Sequence, residues 1–212
     1  MEKIIITVSR EFGSGGKELG KLISELLNIP FYDSEIINML SLKTGLSVDY
    51  IYKTSESGIN NPINNYARSF SCISSINNNK IDLMINEQKI IKEIANNGSC
   101  VIVGRAADTI LKEYNPFRIF VYSDMESKVK RCFENASKTE KLKEKEIIKN
   151  IKEIDKNRKK YYDIISNNIW ADKSNYDLCV NTTNKNLDDI AKAVVSYIKL
   201  WEKKEKMRSM IS

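Results

Sequence analysis

The stretch Lys3-Ile-Ile-Ile-Thr-Val-Ser-Arg-Glu-Phe-Gly-Ser-Gly-Gly-Lys-Glu-Leu-Gly20 decides the fold of this chain. Residues 4–8 form an apolar, mostly β-branched run without alternation, which predicts a strand buried on both faces. Three glycines and Lys17 follow, and Leu or Ile then recurs at helical spacing at residues 19, 22, 23, 26 and 27. The order of strand, glycine-rich turn, lysine and helix predicts a phosphate-binding loop.

The predicted loop suits an anion for a physical reason. Glycines allow successive backbone N–H groups to turn inward, the helix N-terminus adds partial positive charge, and the lysine reaches outer phosphate oxygens. The usual loop pattern is G-x-x-x-x-G-K-[ST], but Glu11 stands at its first glycine and Glu18 at its Ser/Thr. The alternative interpretation is a glycine-rich turn that binds nothing.

Residues 6–37, ITVSREFGSGGKELGKLISELLNIPFYDSEII, resemble the cytidylate kinase-like family, a bacterial branch of the P-loop nucleoside monophosphate kinases. In that family the loop has the form S-R-E-F-G-S-G-G-[KR]-E, so both departures are family features. The resemblance extends through residues 101–108, 119–131 and 155–183 and covers nearly the whole chain.

Alternation of predicted strands and helices indicates a layered α/β domain. The resemblance implies a three-layer α/β P-loop NTPase fold, in which a parallel five-stranded sheet carries helices on both faces. It also implies one kinase domain over residues 1–212, with a substrate-binding insert at 34–80 and a helical lid at 139–168. The lid region has a thin apolar stripe and many charges, which is typical of a segment that closes over a nucleotide.

The implied activity is ATP-dependent phosphoryl transfer to a nucleoside monophosphate, with CMP or dCMP as the leading acceptors. ATP would bring Mg²⁺, held mainly through its own oxygens, and no protein metal site is expected. Val103 occupies a position where cytidylate kinases carry an aspartate before Gly-Arg. Two alternatives stay open: a P-loop kinase for another small-molecule acceptor, or a nucleotide-binding regulatory module with little catalysis.

Within the loop, the resemblance implies that six consecutive residues bind the ATP phosphates: Gly13, Ser14, Gly15, Gly16, Lys17 and Glu18. Lys17 is also a candidate catalytic residue. Arg131 matches an arginine near the ATP base or phosphates, and Arg158 matches a lid arginine that neutralises the transferring group. The alternatives are surface charge for Arg131 and a surface Asp155–Arg158 pair.

Arg105 is the principal candidate for binding the acceptor phosphate. It follows the predicted buried strand 100–103 and one glycine, at the sheet edge where ligands of α/β proteins bind. A guanidinium there can bind phosphate through two donors at once. The alternative is a structural pair with a carboxylate such as Asp108.

The resemblance implies three further acceptor-side candidates, which are Asp33, Ser34 and Arg68. Asp33 and Ser34 precede a predicted helix, and Asp33 as a simple N-cap is the alternative. Arg68 is the single arginine of the Ser- and Asn-rich segment 54–80, for which a flexible linker is the alternative.

Composition narrows the function further. The 212 residues are 42% hydrophobic and 29% charged and contain no histidine, which excludes Ser-His-Asp triads and histidine metal sites. The four cysteines are scattered, so free thiols that serve as small core residues are expected. The net charge of +6 is spread over helices, so nucleic acid is not an expected partner. With no signal peptide or membrane span in view, a cytoplasmic location is expected, and the oligomeric state is left open.

The remaining segments predict ordinary elements. Residues 118–122 and 176–182 read as strands, and 81–96 and 139–165 as helices. Ser47, Ser123 and Asn186 are predicted to begin helices, Ser123 as part of a capping box with Glu126.

Overall fold

The structure is a computed structural model that describes residues 3–55, 78–136 and 143–209. Its centre is a five-stranded sheet in the order β2-β3-β1-β4-β5, in which every paired strand runs parallel to its neighbour. The strands are β1 (Ile5–Arg10), β2 (Phe31–Tyr32), β3 (Cys100–Val103), β4 (Phe117–Tyr122) and β5 (Leu178–Asn181). The predicted parallel five-stranded sheet is confirmed.

Helices connect the strands and cover the sheet. They are α1 (Gly16–Leu27), α2 (Glu35–Thr44), α3 (Val48–Ser55), α4 (Asn78–Asn97), α5 (Ala107–Ile110), α6 (Met125–Asn135), α7 (Glu144–Ile165) and α8 (Leu187–Ser209). Short 3-10 turns lie at Lys112–Tyr114 and Lys173–Asn175. The predicted helix at 139–165 is the single helix α7 over its described part.

The sheet has a hydrophobic core on each face, because β1 is buried on both sides. Ile6 and Val8 pack with α1 and α8 in one cluster, while Ile5 packs with α2 and α4 in the other. This arrangement is the three-layer fold expected from the sequence. On the first face α1 lies close to β3, since a Cβ on Gly20 would come within 2.8 Å of the Val103 Cγ2 atom.

Of the helix starts predicted at Ser47, Ser123 and Asn186, two agree with the structure. The Ser47 hydroxyl accepts a hydrogen bond from the Tyr50 amide (3.2 Å), and the Asn186 side chain accepts from the Asp188 amide (2.8 Å). The prediction of Ser123 as the cap of α6 is wrong, because Asp124 caps it by accepting from the Ser127 amide at 2.8 Å.

Two of the cysteines behave as predicted. Cys100 and Cys132 are free and buried, whereas Cys179 is free but exposed and does not belong to the core. None of the described helices has the length and apolar character needed to cross a membrane.

Candidate active site

The loop between β1 and α1 has the backbone of an anion cradle. Gly13 and Gly15 have φ values of 74° and 79°, in the left-handed region that favours glycine. The loop is also crowded: a Cβ on Gly13 would lie 3.0 Å from the Lys128 carbonyl oxygen. Gly15 immediately precedes α1, so the amides of the first turn of this helix face the loop.

Lys17 stands in the first turn of α1 and is 44% exposed. Its Nζ atom lies 2.8 Å from the Oδ2 atom of Asp33, whose side chain is only 1% exposed. The other oxygen of Asp33 accepts a hydrogen bond from the Arg10 Nη2 atom at 3.3 Å. Asp33 is therefore not an N-cap, and the residue that precedes α2 is Ser34, whose side chain makes no capping hydrogen bond.

A single pocket at this loop gathers four cations. It is lined by Glu11, Phe12, Gly13, Gly15, Gly16 and Glu18 together with Arg10, Lys17, Arg131 and Arg158. Ser14, which was predicted to bind the ATP phosphates, does not line it: Ser14 is buried and its hydroxyl donates to the Glu11 carbonyl oxygen at 2.8 Å. We call it the loop pocket. Three of these cations come from outside the glycine-rich turn, on β1, α6 and α7.

Arg131 reaches the loop from the last turns of α6. Its Nη2 atom donates to the Thr182 carbonyl oxygen at 2.6 Å, and its Nη1 atom donates to the Gly13 carbonyl oxygen at 3.4 Å. A Cβ on Gly15 would lie 3.5 Å from the Arg131 Nε atom, so the side chain lies directly against the loop. The alternative of a simple surface charge is therefore wrong.

Arg158 is 5% exposed and lies against the loop from α7. Its Nη1 atom donates to the Arg10 carbonyl oxygen at 2.9 Å and to the Asp155 Oδ1 atom at 3.3 Å. The same Asp155 oxygen accepts the Phe12 amide at 2.7 Å. The Asp155–Arg158 pair thus exists, but it is buried and joins α7 to the loop, which corrects the alternative of a surface pair.

Burial perturbs the charges of this pair. It raises the pKa of Asp155 and lowers the pKa of Arg158, in each case because the ionised form loses contact with water. A neighbouring pair joins α6 to the loop as well, since the Lys128 Nζ atom lies 2.7 Å from the Glu11 Oε2 atom.

Arg105 lies at the carboxyl end of β3, as expected, but its side chain is buried. Its Nη1 atom is 2.9 Å from the Glu87 Oε1 atom, and both side chains are 5% exposed. The hydroxyl of Tyr161 donates to the other oxygen of Glu87. A structural carboxylate partner was one prediction for Arg105, and the structure identifies it as Glu87 on α4.

Asp108, the partner considered for Arg105, belongs to a different network. Its Oδ1 atom accepts from the Ser9 hydroxyl at 3.3 Å, and its Oδ2 atom accepts from the Tyr162 hydroxyl at 2.7 Å. Burial raises the pKa of Asp108, because the ionised carboxylate loses contact with water; the hydrogen bonds from Tyr162 and Ser9 and the positive charge of Arg118 offset this only in part.

Sequence reasoning missed two charged residues of this region. Arg10 ends a buried strand, and Glu87 lies on the face of α4 that packs against the sheet; in both cases a charge at a core position was the available signal. Glu18 lines the loop pocket, and its role in binding the ATP phosphates stays a prediction. Arg68 lies outside the described residues.

A metal site built by the protein alone is not found in the part of the chain that the structure describes, where no three Asp, Glu or Cys side chains come together to hold an ion. Beside the loop pocket, however, a cavity of about 360 Å³ lies between α6 and the β5–α8 connection, lined by Ser127, Lys130, Arg131 and Asn184 among others. Arg131 borders both spaces.

Comparisons with solved structures find the same fold. An uncharacterized protein from Eubacterium ventriosum shares 28% identity and superposes with a TM-score of 0.67, with 93% of this chain and 99% of that one covered. Shikimate kinase from Acinetobacter baumannii, solved in complex with shikimate, shares 14% identity with a TM-score of 0.53, covering 93% of each chain. A gluconokinase from Sinorhizobium meliloti shares 13% identity with a TM-score of 0.52, covering 98% of this chain and 97% of that one.

Among curated proteins no significant match was found. A family model, described as the cytidylate kinase-like family, matches residues 5–184. That range includes the phosphate loop, the whole sheet and every described cation of the loop pocket. The chain therefore belongs to the cytidylate kinase-like family, and its fold is that of the P-loop kinases.

Proposed function

We propose that this protein transfers the terminal phosphoryl group of ATP to a nucleoside monophosphate, with CMP and dCMP as the leading acceptors. The observation that carries the proposal is the convergence of Arg10, Lys17, Arg131 and Arg158 on one glycine-rich loop. Membership of the cytidylate kinase-like family supports a phosphotransferase. The proposal includes a cytoplasmic location, where ATP and nucleoside monophosphates are available.

The chemistry suits a site without histidine. A phosphate acceptor is already ionised, so no strong base is needed, and catalysis consists of alignment and charge neutralisation. Lys17 would bind the outer phosphates of ATP while loop amides bind their oxygens. To do so, its Nζ atom exchanges the Asp33 carboxylate, 2.8 Å away, for phosphate oxygens.

Other residues would complete the donor side. Arg131 and Arg158 would neutralise the phosphates from α6 and α7, and Mg²⁺ would enter as the ATP complex. The nucleoside of ATP would occupy the cavity of about 360 Å³ beside Arg131. Its volume is sufficient for a nucleoside, and Arg131 at its border offers a planar guanidinium for stacking.

On the acceptor side we assign the monophosphate to Arg105, with Asp33 and Ser34 near it. Arg105 stands at the carboxyl end of β3, where ligands of parallel sheets bind. Glu87 pairs with this guanidinium, so the acceptor would bind beside, or in exchange for, a buried ion pair.

A second candidate is transfer to a hydroxyl group of a small molecule. The observation that favours it is Asp33, a buried carboxylate next to Lys17, which could accept the proton of a hydroxyl acceptor. The similar folds of a shikimate kinase and a gluconokinase make hydroxyl acceptors worth testing. A third candidate, a regulatory module that binds nucleotide and transfers little, is favoured by Val103 and Glu18.

One assay separates the three. The full-length protein is incubated with Mg·ATP and single acceptors: CMP, dCMP, UMP, AMP, GMP, shikimate and gluconate. ADP and the phosphorylated product are measured together. We expect CDP or dCDP to form fastest; product from a hydroxyl acceptor alone would contradict the monophosphate assignment, and ATP binding without any product would favour the regulatory module.

A further inference from the structure

Arg10 occupies the position between the two halves of the proposed cleft. It is the last residue of β1, its side chain is 5% exposed, and it hydrogen-bonds Asp33 at 3.3 Å. A Cβ on Gly16 would come within 2.5 Å of the Arg10 Cβ atom, and a Cβ on Gly104 would overlap its Nη1 atom. The guanidinium therefore lies against Gly104, at the start of the connection between β3 and α5, while the aliphatic part of the side chain lies against the phosphate loop.

Arg10 lies in a cluster of buried and partly buried charges. Its carboxylate partner, Asp33, also carries the Lys17 ion pair, and Arg158 hydrogen-bonds the Arg10 carbonyl oxygen. Burial, and then the positive charge of Arg158, lower the pKa of Arg10 to about 9, although Asp33 and Asp155 act in the opposite direction. A phosphoryl group that passes between the two halves of the cleft would bring negative charge to this group of cations.

We propose that Arg10 is a catalytic residue, whose guanidinium binds the phosphoryl group while it passes between ATP and the acceptor. The inference rests on the proposed function and deepens it by naming the central cation of that site. In the transfer, the acceptor oxygen bonds to the γ-phosphorus as the bond from that phosphorus to the β–γ bridging oxygen breaks, and ADP leaves with the electron pair. Charge then spreads over three equatorial oxygens, which a planar guanidinium can bind through two donors.

Arg10 also lies close to Val103, which stands where cytidylate kinases carry an aspartate. The Val103 side chain packs against Gly20, since a Cβ on that glycine would lie 2.8 Å from the Val103 Cγ2 atom. A valine brings no charge to the cleft. Arg10 instead brings a cation against Gly104, the next residue. Positive charge at this point acts on the phosphoryl oxygens directly and does not depend on a carboxylate that organises a metal ion.

The test compares Arg10→Gln and Arg10→Lys with Arg118→Gln as the control. Arg118 is also an arginine of a strand, β4, and its Nη2 atom lies 3.0 Å from the Asp177 Oδ1 atom, but it does not line the loop pocket. For Arg10→Gln we expect kcat to fall about 1,000-fold, as for arginines that stabilise phosphoryl transfer. ATP affinity should change less than about threefold, because the interaction belongs to the transition state. Arg10→Lys should recover part of kcat. Because it keeps a positive charge opposite Asp33, it also serves as the test variant if Arg10→Gln melts below the assay temperature.

A binding measurement is independent of the acceptor. Mg·ADP with aluminium fluoride mimics the transferring group, and thermal shifts report its affinity. We expect the fluoride to tighten ADP binding in the wild type and in Arg118→Gln, but not in Arg10→Gln. If the fluoride increment is lost in Arg10→Gln while the wild type phosphorylates no monophosphate, the assignment of the acceptor is wrong but the role of Arg10 is supported.

Other outcomes count against the proposal. If Arg10→Gln matches Arg118→Gln in kcat and in the fluoride increment, Arg10 is only the structural partner of Asp33 and the proposed function is unaffected. If Arg10→Gln loses ADP binding with and without fluoride, it acts in ground-state binding and the transition-state role is overturned. A wild type without activity and without a fluoride increment would overturn both proposals.

Discussion

The two halves of the proposed cleft differ in how their central cation is held. On the donor side, Lys17 is 44% exposed and shares its carboxylate partner with Arg10. On the acceptor side, Arg105 is 5% exposed and pairs with Glu87, which also accepts a hydrogen bond from the Tyr161 hydroxyl. The proposed donor half would thus need only a small side-chain movement to take up an anion, whereas the proposed acceptor half is built around a buried ion pair.

The energetic consequence of this contrast follows from dielectric screening. A partly exposed pair contributes little to folding, while removing one partner of a buried pair leaves an uncompensated charge in a low-dielectric interior. Substitutions on the donor side should therefore change binding more than stability, and substitutions on the acceptor side should change both.

The largest expected effect is on Glu87. Glu87→Ala leaves the Arg105 guanidinium buried without its carboxylate and removes the acceptor of the Tyr161 hydroxyl. We expect the free energy of unfolding to fall by about 3–5 kcal/mol in urea denaturation. Glu93→Ala is the matched control on the same helix: Glu93 is 56% exposed and pairs with Lys43, so the loss should stay below about 1 kcal/mol. Equal losses in the two variants would show that the buried Arg105–Glu87 pair contributes no more to stability than an exposed pair.

Lys17→Ala should give the next largest effect. We expect ATP affinity to fall by roughly 100-fold, about 2.7 kcal/mol, with little change in the melting temperature of the ligand-free protein. Calorimetric titration with Mg·ATP measures this. Lys21→Ala, one turn later on α1 and 65% exposed, is the control and should bind ATP as the wild type does. An unchanged affinity in Lys17→Ala would remove Lys17 from the site.

Arg105→Lys tests the acceptor half more gently. It keeps the charge beside Glu87 but loses the planar fork, so a lost charged hydrogen bond should weaken the acceptor by about 1.5–3 kcal/mol. Steady-state kinetics should show a higher KM for CMP and an unchanged KM for ATP. The reverse pattern would mean that the donor and acceptor halves are exchanged, and no change in either would leave Arg105 a purely structural residue.

The smallest expected effect concerns Asp108, beneath the acceptor half. Its pKa is raised by burial, so its ionised form is disfavoured in the folded chain. The stability it contributes is present below the ordinary pKa of 3.8 and is lost as the pH rises through the folded-state value. Asp108→Asn should therefore melt higher than the wild type at pH 7, by no more than about 4 °C, and this advantage should shrink toward pH 4.

Asp172 supplies a control of opposite sign for that pH dependence. Hydrogen bonds from Ser174 lower the pKa of its exposed carboxylate. Its contribution is present above the unfolded-state pKa and is lost as the pH falls through the folded-state value. Asp172→Asn should melt lower than the wild type at pH 7 and approach it in acid. A common trend in both variants would contradict the assignment of the Asp108 shift to burial.

The features that the sequence predicted correctly are those set by interactions within a short segment of the chain. The run of residues 4–8, the glycines of the loop and the periodicity of α1 predicted the βα unit correctly, because strand burial, positive φ and helical spacing are all properties of short segments. The cap of α6 was misassigned by one residue, since Ser123 and Asp124 are both good caps and only the hydrogen bond to Ser127 distinguishes them.

The charged contacts of the cleft were beyond sequence reasoning for the same reason. Sequence analysis could propose that Arg105 meets a phosphate or a carboxylate, but Glu87 lies 18 positions earlier on another helix and approaches only when α4 packs on the sheet. The links from Arg158 to the Arg10 carbonyl and from Asp155 to the Phe12 amide likewise span more than 140 residues.

The family resemblance implied the parallel five-stranded sheet. By itself, the sequence determined the strand–loop–helix unit, the layered α/β arrangement and the lysine that faces the loop. These follow from local conformational preference and from burial, which adjacent residues carry together. Only the tertiary structure decided which charges are neighbours: Asp33 between Arg10 and Lys17, and Glu87 against Arg105. Ion pairs in a cleft depend on distances of a few ångströms between segments far apart in the chain, and those distances are set by packing.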